Sequence, residues 1–437
     1  MKYIMVTEPK LEKENKQTII DLSFRVSGSY LMSLTSLTKA KDYNIEHLGD
    51  FKRKTNELKV YLSSIEVLKK YEDRLKLFID SGGYSIIKGN IPFTKTIQYI
   101  GAYHYVLDEW KDIYDAIFSL DIPKWSNNEA VNTEKNVREF NKMSLNKSKE
   151  IIRNNPTVQE KFYFVWQFAR PGQLDIWDGL YEELKLNELI KARAIGGLVG
   201  LRSVIKSKIS YSLFIDMAVR CFHDHINSPF KDEQFRLHFL GVYQPYDRFA
   251  IALLSGVIEA LTKKEPLLTY DTKYYFTSAL FKSRDMQICC FDEHKNLEIV
   301  PKLSKVSDEV VKQVYGEYKN IYEDSMKSIN QNQKLSSLEY CIPLLIYSNR
   351  IIDEFFEDSI ELFSLPEKIL KCKSLKELIK IQDSFMSEYI NIHSDIFKDI
   401  DIEYIKSNIE RMYSTFSVYK DRDELTKKIN KVQECFK

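Results

Sequence analysis

A short apolar run that ends in polar residues is the feature of this sequence best suited to chemistry. Leu77-Phe78-Ile79 leads directly into Asp80-Ser81-Gly82-Gly83-Tyr84. This pattern is typical of a buried parallel strand that delivers a carboxylate to the carboxyl end of a sheet. The glycines allow a tight turn and the approach of a flat ligand, and the Tyr84 ring offers a face for stacking. Taken alone, the segment fits a plain strand-to-loop turn better.

Similar segments recur downstream and strengthen the functional interpretation. Apolar runs end at Asp121, Gln167, Gly196-Gly197 and Asp271. In a barrel of parallel strands, all these ends converge on one mouth, where such enzymes place their active sites.

The spacing of the apolar runs predicts the elements that would position these residues. Between about 75 and 275, short apolar runs alternate with longer segments of helical periodicity; the runs are Leu77–Ile79, Ala116–Leu120, Phe162–Trp166, Ala194–Val199 and Leu237–Val242. This alternation predicts an α/β fold with a closed (β/α)₈ barrel of the TIM type. An open doubly wound sheet is the alternative, but no Gly-x-Gly-x-x-Gly fingerprint follows a strand.

The two ends of the chain have a different character. Tyr3–Val6 predicts a strand, and a charged helical stretch runs through Lys52–Tyr71. From about Val306, Leu, Ile, Glu and Lys recur at helical spacing, as in Leu335–Phe356 and Leu375–Tyr389. We therefore predict a barrel domain over residues 1–305 and a helical C-terminal region over 306–437. The sequence leaves open whether that region binds a polymer, a partner subunit such as an accessory protein, or nothing.

Composition limits the possible classes of function without selecting one. The 437 residues are 44% hydrophobic, enough for a full core, and the net charge of +1 excludes a bulk polycation. A local basic patch would still suffice for nucleic-acid binding. No signal-peptide pattern and no apolar run of membrane-spanning length occur, so we expect a soluble cytoplasmic protein without membrane contact.

The six cysteines predict neither a disulfide framework nor a zinc ribbon, because none forms a Cys-x-x-Cys pair. On a helix, Cys221 and His225 would share a face, which is a spacing that metals can use. A packed helix end is the favoured interpretation, so no metal site is predicted.

At this point the sequence resembles the tRNA-guanine transglycosylase superfamily over about residues 75–275. Asp80-Ser81-Gly82-Gly83-Tyr84 is similar to the family's Asp-Ser-Gly-Gly-aromatic motif. Asp121, Gln167, Gly196-Gly197-Leu198 and Phe239-Leu240-Gly241-Val242 follow in the family's order, and Tyr270-Asp271 resembles the segment of the nucleophile.

The resemblance implies a role for each matching residue. Asp271 would be the nucleophile that attacks the anomeric carbon and expels guanine, and Asp80 would be the general acid and base. Two carboxylates suit this chemistry, as in retaining glycosidases. The remaining residues would bind the base: Asp121 its amidine edge, Gln167 and the backbone of Gly196 and Gly197 its carbonyl edge, and Tyr84 and Leu240 its two faces, with Ser81 alongside in the motif.

Structural roles remain open for each of these residues. Asp80, Asp121 and Asp271 could cap turns, and Gln167 could satisfy backbone groups at a strand end. Tyr84 and Leu240 could belong to the core. Asp247 is a competing carboxylate, but its position favours the first turn of a helix.

Departures from the family pattern bear on the substrate. The tRNA enzymes carry Cys-x-Cys-x-x-Cys and a later His for zinc, whereas this chain has only Cys289-Cys290 in that region. The resemblance is closer to the branch that inserts 7-deazaguanines into DNA in phages and bacteria, which implies a bacterial or phage-infected host cell. Such an enzyme must flip guanine out of the stack. Arg202 and Lys273 are the favoured phosphate contacts among the basic stretches, which also include Lys191-Ala192-Arg193, Lys206 with Lys208, and Lys282 with Arg284.

Three hypotheses about function follow. The first is exchange of guanine in DNA for a 7-deazaguanine such as the 7-cyano base, with no cofactor. The second is a tRNA-guanine transglycosylase of the queuosine type without zinc. The third is a non-catalytic nucleic-acid-binding barrel, which the paired Asp80 and Asp271 disfavour.

Overall fold

The computed structural model describes most of the strands and helices of the N-terminal region and most of the helical C-terminal region. The described residues are 2–6, 22, 26–34, 52–53, 56, 59, 77–83, 96–122, 134–168, 172–198, 213–242, 244–272, 288–291, 297–300, 305–330, 341–391 and 402–434. Tyr84, Arg202 and Lys273 lie outside them, as does most of the predicted helix over Lys52–Tyr71.

Eight parallel strands form a curled sheet in which each strand pairs with the next along the chain. They are β1 (Lys2–Val6), β2 (Tyr30–Ser33), β3 (Leu77–Asp80), β4 (Ala116–Phe118), β5 (Phe162–Gln167), β6 (Ala192–Gly196), β7 (Arg236–Phe239) and β8 (Leu267–Thr272). β1 pairs with β2 on one side and with β8 on the other. All eight strands therefore present their carboxyl ends on the same side of the sheet.

Alternation of side chains along the strands separates two buried layers. In β5, Phe162, Phe164 and Trp166 join the large cluster between the sheet and the helices. Tyr163 and Val165 point the opposite way, into a smaller inner cluster with Phe78, Phe118 and residues of β2, β4 and β6. A strand buried on both faces reads as a continuous apolar run, as this one does.

Helices cover the outer face and connect the strands. Those between β3 and β8 are α1 (Thr96–Glu109), α2 (Glu134–Asn154), α3 (Pro156–Lys161), α4 (Gln173–Glu183), α5 (Leu213–Ile226) and α6 (Pro245–Thr262). α3 and α6 both begin with a proline, whose fixed φ and missing N–H suit the first helical turn. A described helix thus follows each of β3 to β7, which is the arrangement that parallel strands require.

A two-stranded antiparallel hairpin and a set of helices follow the sheet. The hairpin is β9 (Ile288–Phe291) with β10 (Leu297–Val300). The helices are α7 (Asp308–Tyr315), α8 (Lys319–Asn330), α9 (Ile342–Leu362), α10 (Leu365–Lys371), α11 (Leu375–Phe385), α12 (Ile402–Phe416) and α13 (Arg422–Glu434). They pack on the outer helices of the sheet: α9 lies against α6, and α12 and α13 lie against α5.

The expected α/β fold with a parallel sheet and a helical C-terminal region is confirmed. Five predicted runs coincide with β3 to β7, although Ala194–Val199 and Leu237–Val242 start and end later than the strands that they predicted. After α4, the chain makes a short 3₁₀ turn at Leu186–Glu188, where Lys185 adopts a left-handed conformation. Among the described residues, no helix combines the length and the apolar character needed to cross a membrane.

Candidate active site

The residues expected to do chemistry lie where the strands end. Asp80, Gln167 and Gly196 are the last residues of β3, β5 and β6, and Asp271 is the penultimate residue of β8. Each continues the inward-facing series of its strand, so the side chains of Asp80, Gln167 and Asp271 and the backbone of Gly196 share the mouth of the sheet. Leu240 follows β7 directly and packs against the inner cluster.

Asp121 is the centre of one polar group at this mouth. It follows β4 by three residues and is buried. Nε2 of Gln167 donates a hydrogen bond to its Oδ2, and the Ser81 hydroxyl donates to its Oδ1 at 3.4 Å. The sequence separations between these partners are 46 and 40 residues, so only the fold brings them together.

The environment of Asp121 changes its proton affinity. Burial raises the pKa of Asp121 to about 7, the bonds from Gln167 and Ser81 act in the opposite direction, and the nearby charge of Asp80 raises it further. A carboxyl group with a pKa near neutrality can exist in either protonation state at the pH of a cell. Such groups occur most often at functional sites.

Gln167 has hydrogen-bonding capacity to spare. Its Oε1 is buried, and no described residue donates to it. Its amide nitrogen uses one hydrogen for Asp121 and keeps a second. Buried polar atoms without partners are uncommon in folded proteins and call for an explanation such as a ligand or an ordered water.

Glycines provide the space around this pair. A Cβ atom on Gly196 would lie 2.3 Å from Nε2 of Gln167, and one on Gly83 would lie 1.7 Å from the carbonyl oxygen of Asp121. Gly82 and Gly197 have φ values of 75° and 84°, which L side chains rarely adopt. The motif glycines therefore have direct steric reasons to be glycine.

Asp271 is the centre of the second polar group. Its side chain is buried, and its Oδ1 accepts hydrogen bonds from Nε2 of His238 at 3.0 Å and from the backbone N–H of Gly241 at 3.0 Å. The second ring nitrogen of His238, Nδ1, lies 2.8 Å from the Thr269 hydroxyl. Oδ2 takes part in neither contact.

Sequence reasoning missed His238 because it lies within an apolar run that predicts an ordinary core strand. The available signal was its alternation with Leu240: His238 occupies an inward-facing position of β7, Leu240 continues that series just after the strand, and a fully buried histidine there needs partners.

The two alternative sites found in the sequence have structural roles. Asp247 is buried in the first turn of α6, as its position indicated. His225 contacts the carbonyl oxygen of Glu233, His223 contacts that of Tyr419, and burial raises the pKa of the Cys221 thiol well above its usual value. Among the described residues, no group of three or more His, Cys, Asp and Glu side chains could hold a metal ion.

One proposed basic stretch does not face the site. Lys191 precedes β6 and forms ion pairs with Glu160 and Glu233, and Arg193 is fully buried. Both lie toward the amino end of the strand, away from the carboxyl ends where Asp80, Gln167 and Asp271 lie.

Compared with models of known protein families and with curated proteins, the chain matches none.

Proposed function

We propose that this protein is a base-exchanging glycosyltransferase that replaces guanine in DNA by a 7-deazaguanine, such as 7-cyano-7-deazaguanine, through a covalent Asp271-glycosyl intermediate. The observation that carries the proposal is the anchoring of Asp271 by described residues through Oδ1 and not through Oδ2, at the same mouth as the Asp121–Gln167 pair. A TIM-type (β/α)₈ barrel is part of the proposal. Eight parallel strands in chain order, with β1 beside β8, support it.

In the first half of the reaction, Oδ2 of Asp271 would attack C1′ of the target nucleotide. The glycosidic C1′–N9 bond breaks, its electron pair goes to N9, and Asp80 as general acid supplies the proton to the departing guanine. In the second half, N9–H of the incoming base loses its proton to Asp80, N9 attacks C1′, and the bond from C1′ to Asp271 breaks. A covalent intermediate divides one difficult displacement into two easier ones.

Recognition of the base would use the second polar group. Asp121, when ionised, accepts hydrogen bonds from the amidine edge of the purine. The free amide hydrogen of Gln167 and the backbone N–H of Gly197 would serve the carbonyl edge, with Gly196 leaving the room for it. Leu240 would cover one face of the ring, and Tyr84, which lies outside the described residues, would cover the other.

DNA is preferred to tRNA because the chain lacks the cysteine pattern of the zinc-containing tRNA enzymes. Cys289 and Cys290 instead belong to the strand β9, where the backbone N–H of Cys289 donates to the Ser348 hydroxyl of α9 at 2.8 Å. A zinc-free tRNA-guanine transglycosylase is the second candidate. Arg202 and Lys273 remain candidates for phosphate contacts, and an accessory protein remains a candidate partner.

Exchange of radiolabelled guanine into duplex DNA and, in parallel, into tRNA tests the proposal. Asp271→Ala is compared with Asp383→Ala, which alters an exposed aspartate of α11. Label entering DNA only, with activity lost in Asp271→Ala and kept in Asp383→Ala, supports the proposal. Label entering tRNA only supports the second candidate. No exchange, with binding of either nucleic acid retained, would point to a non-catalytic binding barrel.

A further inference from the structure

Oδ1 of Asp271 has two hydrogen-bond donors that come from the same neighbouring strand and its loop. His238 lies in β7, and Gly241 follows that strand by two residues. The registers place His238 beside Thr269, so that Asp271 is the next inward-facing residue along β8. Because Oδ1 is held from two directions, rotation about the bond to the carboxylate is restricted and Oδ2 is the oxygen left to react.

The contacts of His238 determine which of its ring nitrogens carries the hydrogen. An ionised carboxylate only accepts hydrogen bonds, so Nε2 must carry a hydrogen to donate to Asp271. In a neutral imidazole, Nδ1 is then an acceptor, and the Thr269 hydroxyl at 2.8 Å is the matching donor. The chain Thr269–His238–Asp271 thus selects one tautomer of the ring and orients it.

The surroundings of His238 argue against proton transfer with a substrate. Its side chain is fully buried in the inner layer of the sheet, with the rings of Phe118 at 4.6 Å and Phe78 at 5.7 Å between centroids. It lies on the strand side of Asp271, whereas a ligand would enter from the mouth. His238 would therefore influence the reaction through its hydrogen bond to Asp271.

We infer that His238 is a positioning residue for the nucleophile: its Nε2–H anchors Oδ1 of Asp271, and the Thr269 hydroxyl at Nδ1 orients the ring, so that Oδ2 faces the anomeric carbon. This inference rests on the proposed function for its kinetic consequence, but the hydrogen-bond chain that it describes can be measured independently. Removal of an orienting group of this kind misplaces the reacting atom, which can cost about 100-fold in rate.

The kinetic test compares variants that keep and lose the donor. His238→Gln places an amide N–H within reach of Asp271, whereas His238→Phe fits the aromatic surroundings and donates nothing. We expect His238→Phe to lower kcat for base exchange about 100-fold with KM for the base changed by less than about 3-fold. His238→Gln should recover most of that loss. His104→Gln, in a buried histidine bonded to Ser144 and Ser148 on α2, controls for substitution of a buried imidazole.

The second measurement does not need activity. In protein labelled with ¹⁵N-histidine, the nitrogen chemical shifts of the His238 ring should report hydrogen on Nε2 and an acceptor at Nδ1. The Nε2 signal should move in Asp271→Asn and the Nδ1 signal in Thr269→Val, with the His104 signals unchanged. Hydrogen on Nδ1 alone, or signals insensitive to Asp271→Asn, would overturn the inference.

The two measurements separate failure of the inference from failure of the proposed function. If the wild-type protein exchanges no base into DNA or tRNA, the proposed function is wrong, and the ring signals alone decide whether His238 orients Asp271. If exchange occurs and His238→Phe keeps kcat within about 3-fold of wild type, His238 is not a positioning residue whatever the ring signals show.

Discussion

Gly83 packs directly on the backbone of Asp121, and a methyl group at Gly83 would lie 1.7 Å from the Asp121 carbonyl oxygen. The contact joins the turn after β3 to the segment after β4. It places Ser81 and Asp121 close enough for their hydrogen bond of 3.4 Å. Gly83 thus helps to hold the segment that carries Asp121 in position.

Gly83→Ala should displace Asp121, because the contact is with backbone and cannot be relieved by a side-chain rotation. We expect it to lower the free energy of unfolding by about 1–3 kcal/mol, as overpacking does, and to abolish binding of guanine. Chemical denaturation and calorimetric titration with guanine would measure the two effects.

Gly101→Ala is the matched control. Gly101 lies within α1, and no atom lies within 4 Å of the new methyl group, so this substitution should stabilise the protein by about 0.5–1 kcal/mol. Equal stability of the two variants would contradict the prediction.

Gly196→Ala should act on the site more than on the fold. The added methyl group would lie 2.3 Å from Nε2 of Gln167, which is the end of a side chain that can move. We expect the protein to fold and Gln167 to lose its bond to Asp121, raising KM for the base at least 10-fold with a smaller change in kcat. Steady-state exchange kinetics would test this. A fall in kcat with unchanged KM would mean that Gln167 does not contact the base.

Asp121 should make the stability of the protein depend on pH. Its pKa is raised from 3.8 to about 7 on folding, so between these values the unfolded chain releases the proton while the folded protein keeps it. This contribution to stability is complete below about pH 4 and is lost as the pH rises toward 7, by up to about 4 kcal/mol. Asp121→Asn removes the effect, so the free energy of unfolding of the variant relative to wild type should increase from pH 4.5 to 8. If the difference in the free energy of unfolding between Asp121→Asn and wild type does not change with pH, Asp121 does not have a raised pKa. The same conclusion follows if Asp175→Asn, at an exposed aspartate, gives an equal curve.

The same titration should appear in binding. Only the ionised carboxylate accepts two hydrogen bonds from the amidine edge of guanine. Affinity for guanine should therefore rise as the pH increases through about 7, and binding below that pH should release a proton. Titration calorimetry in buffers of different ionisation enthalpy would count that proton. In Asp121→Asn, affinity should be low and independent of pH over this range.

The sequence predicts where the candidate site residues lie better than it predicts their hydrogen-bond partners. Asp80, Gln167 and Asp271 each end a local apolar run, and that pattern can be recognised within one segment. His238 could not be identified in this way, because its hydrogen-bond partners depend on the register of β7 with β8. Thr269 and Asp271 lie 31 and 33 residues after His238 along the chain. The strand β2, with four residues and a short apolar run, also escaped detection.

The docking of the helical C-terminal region was equally inaccessible from the sequence. Arg248 of α6 and Asp353 of α9 form a buried ion pair at 2.7 Å across 105 residues of chain. Each residue lies in an amphipathic helix whose pattern alone indicates a solvated charge. Only the packing of α9 on α6 shows that the pair is buried.

This ion pair provides the last prediction. The Tyr270 hydroxyl donates to Oδ2 of Asp353, so the pair also holds the residue that precedes Asp271. Asp353→Asn would remove the negative charge that faces the buried Arg248 guanidinium, and we expect the free energy of unfolding to fall by about 3–5 kcal/mol. Glu354→Gln, one residue along α9, breaks an exposed pair with Arg350 and should cost less than about 1 kcal/mol.

The double variant Arg248→Met with Asp353→Leu should recover most of the stability lost in Asp353→Asn, because it removes both charges together. Denaturant unfolding of the variants would measure these differences, and similar costs for Asp353→Asn and Glu354→Gln would show that the buried pair does not hold the helical region on the sheet.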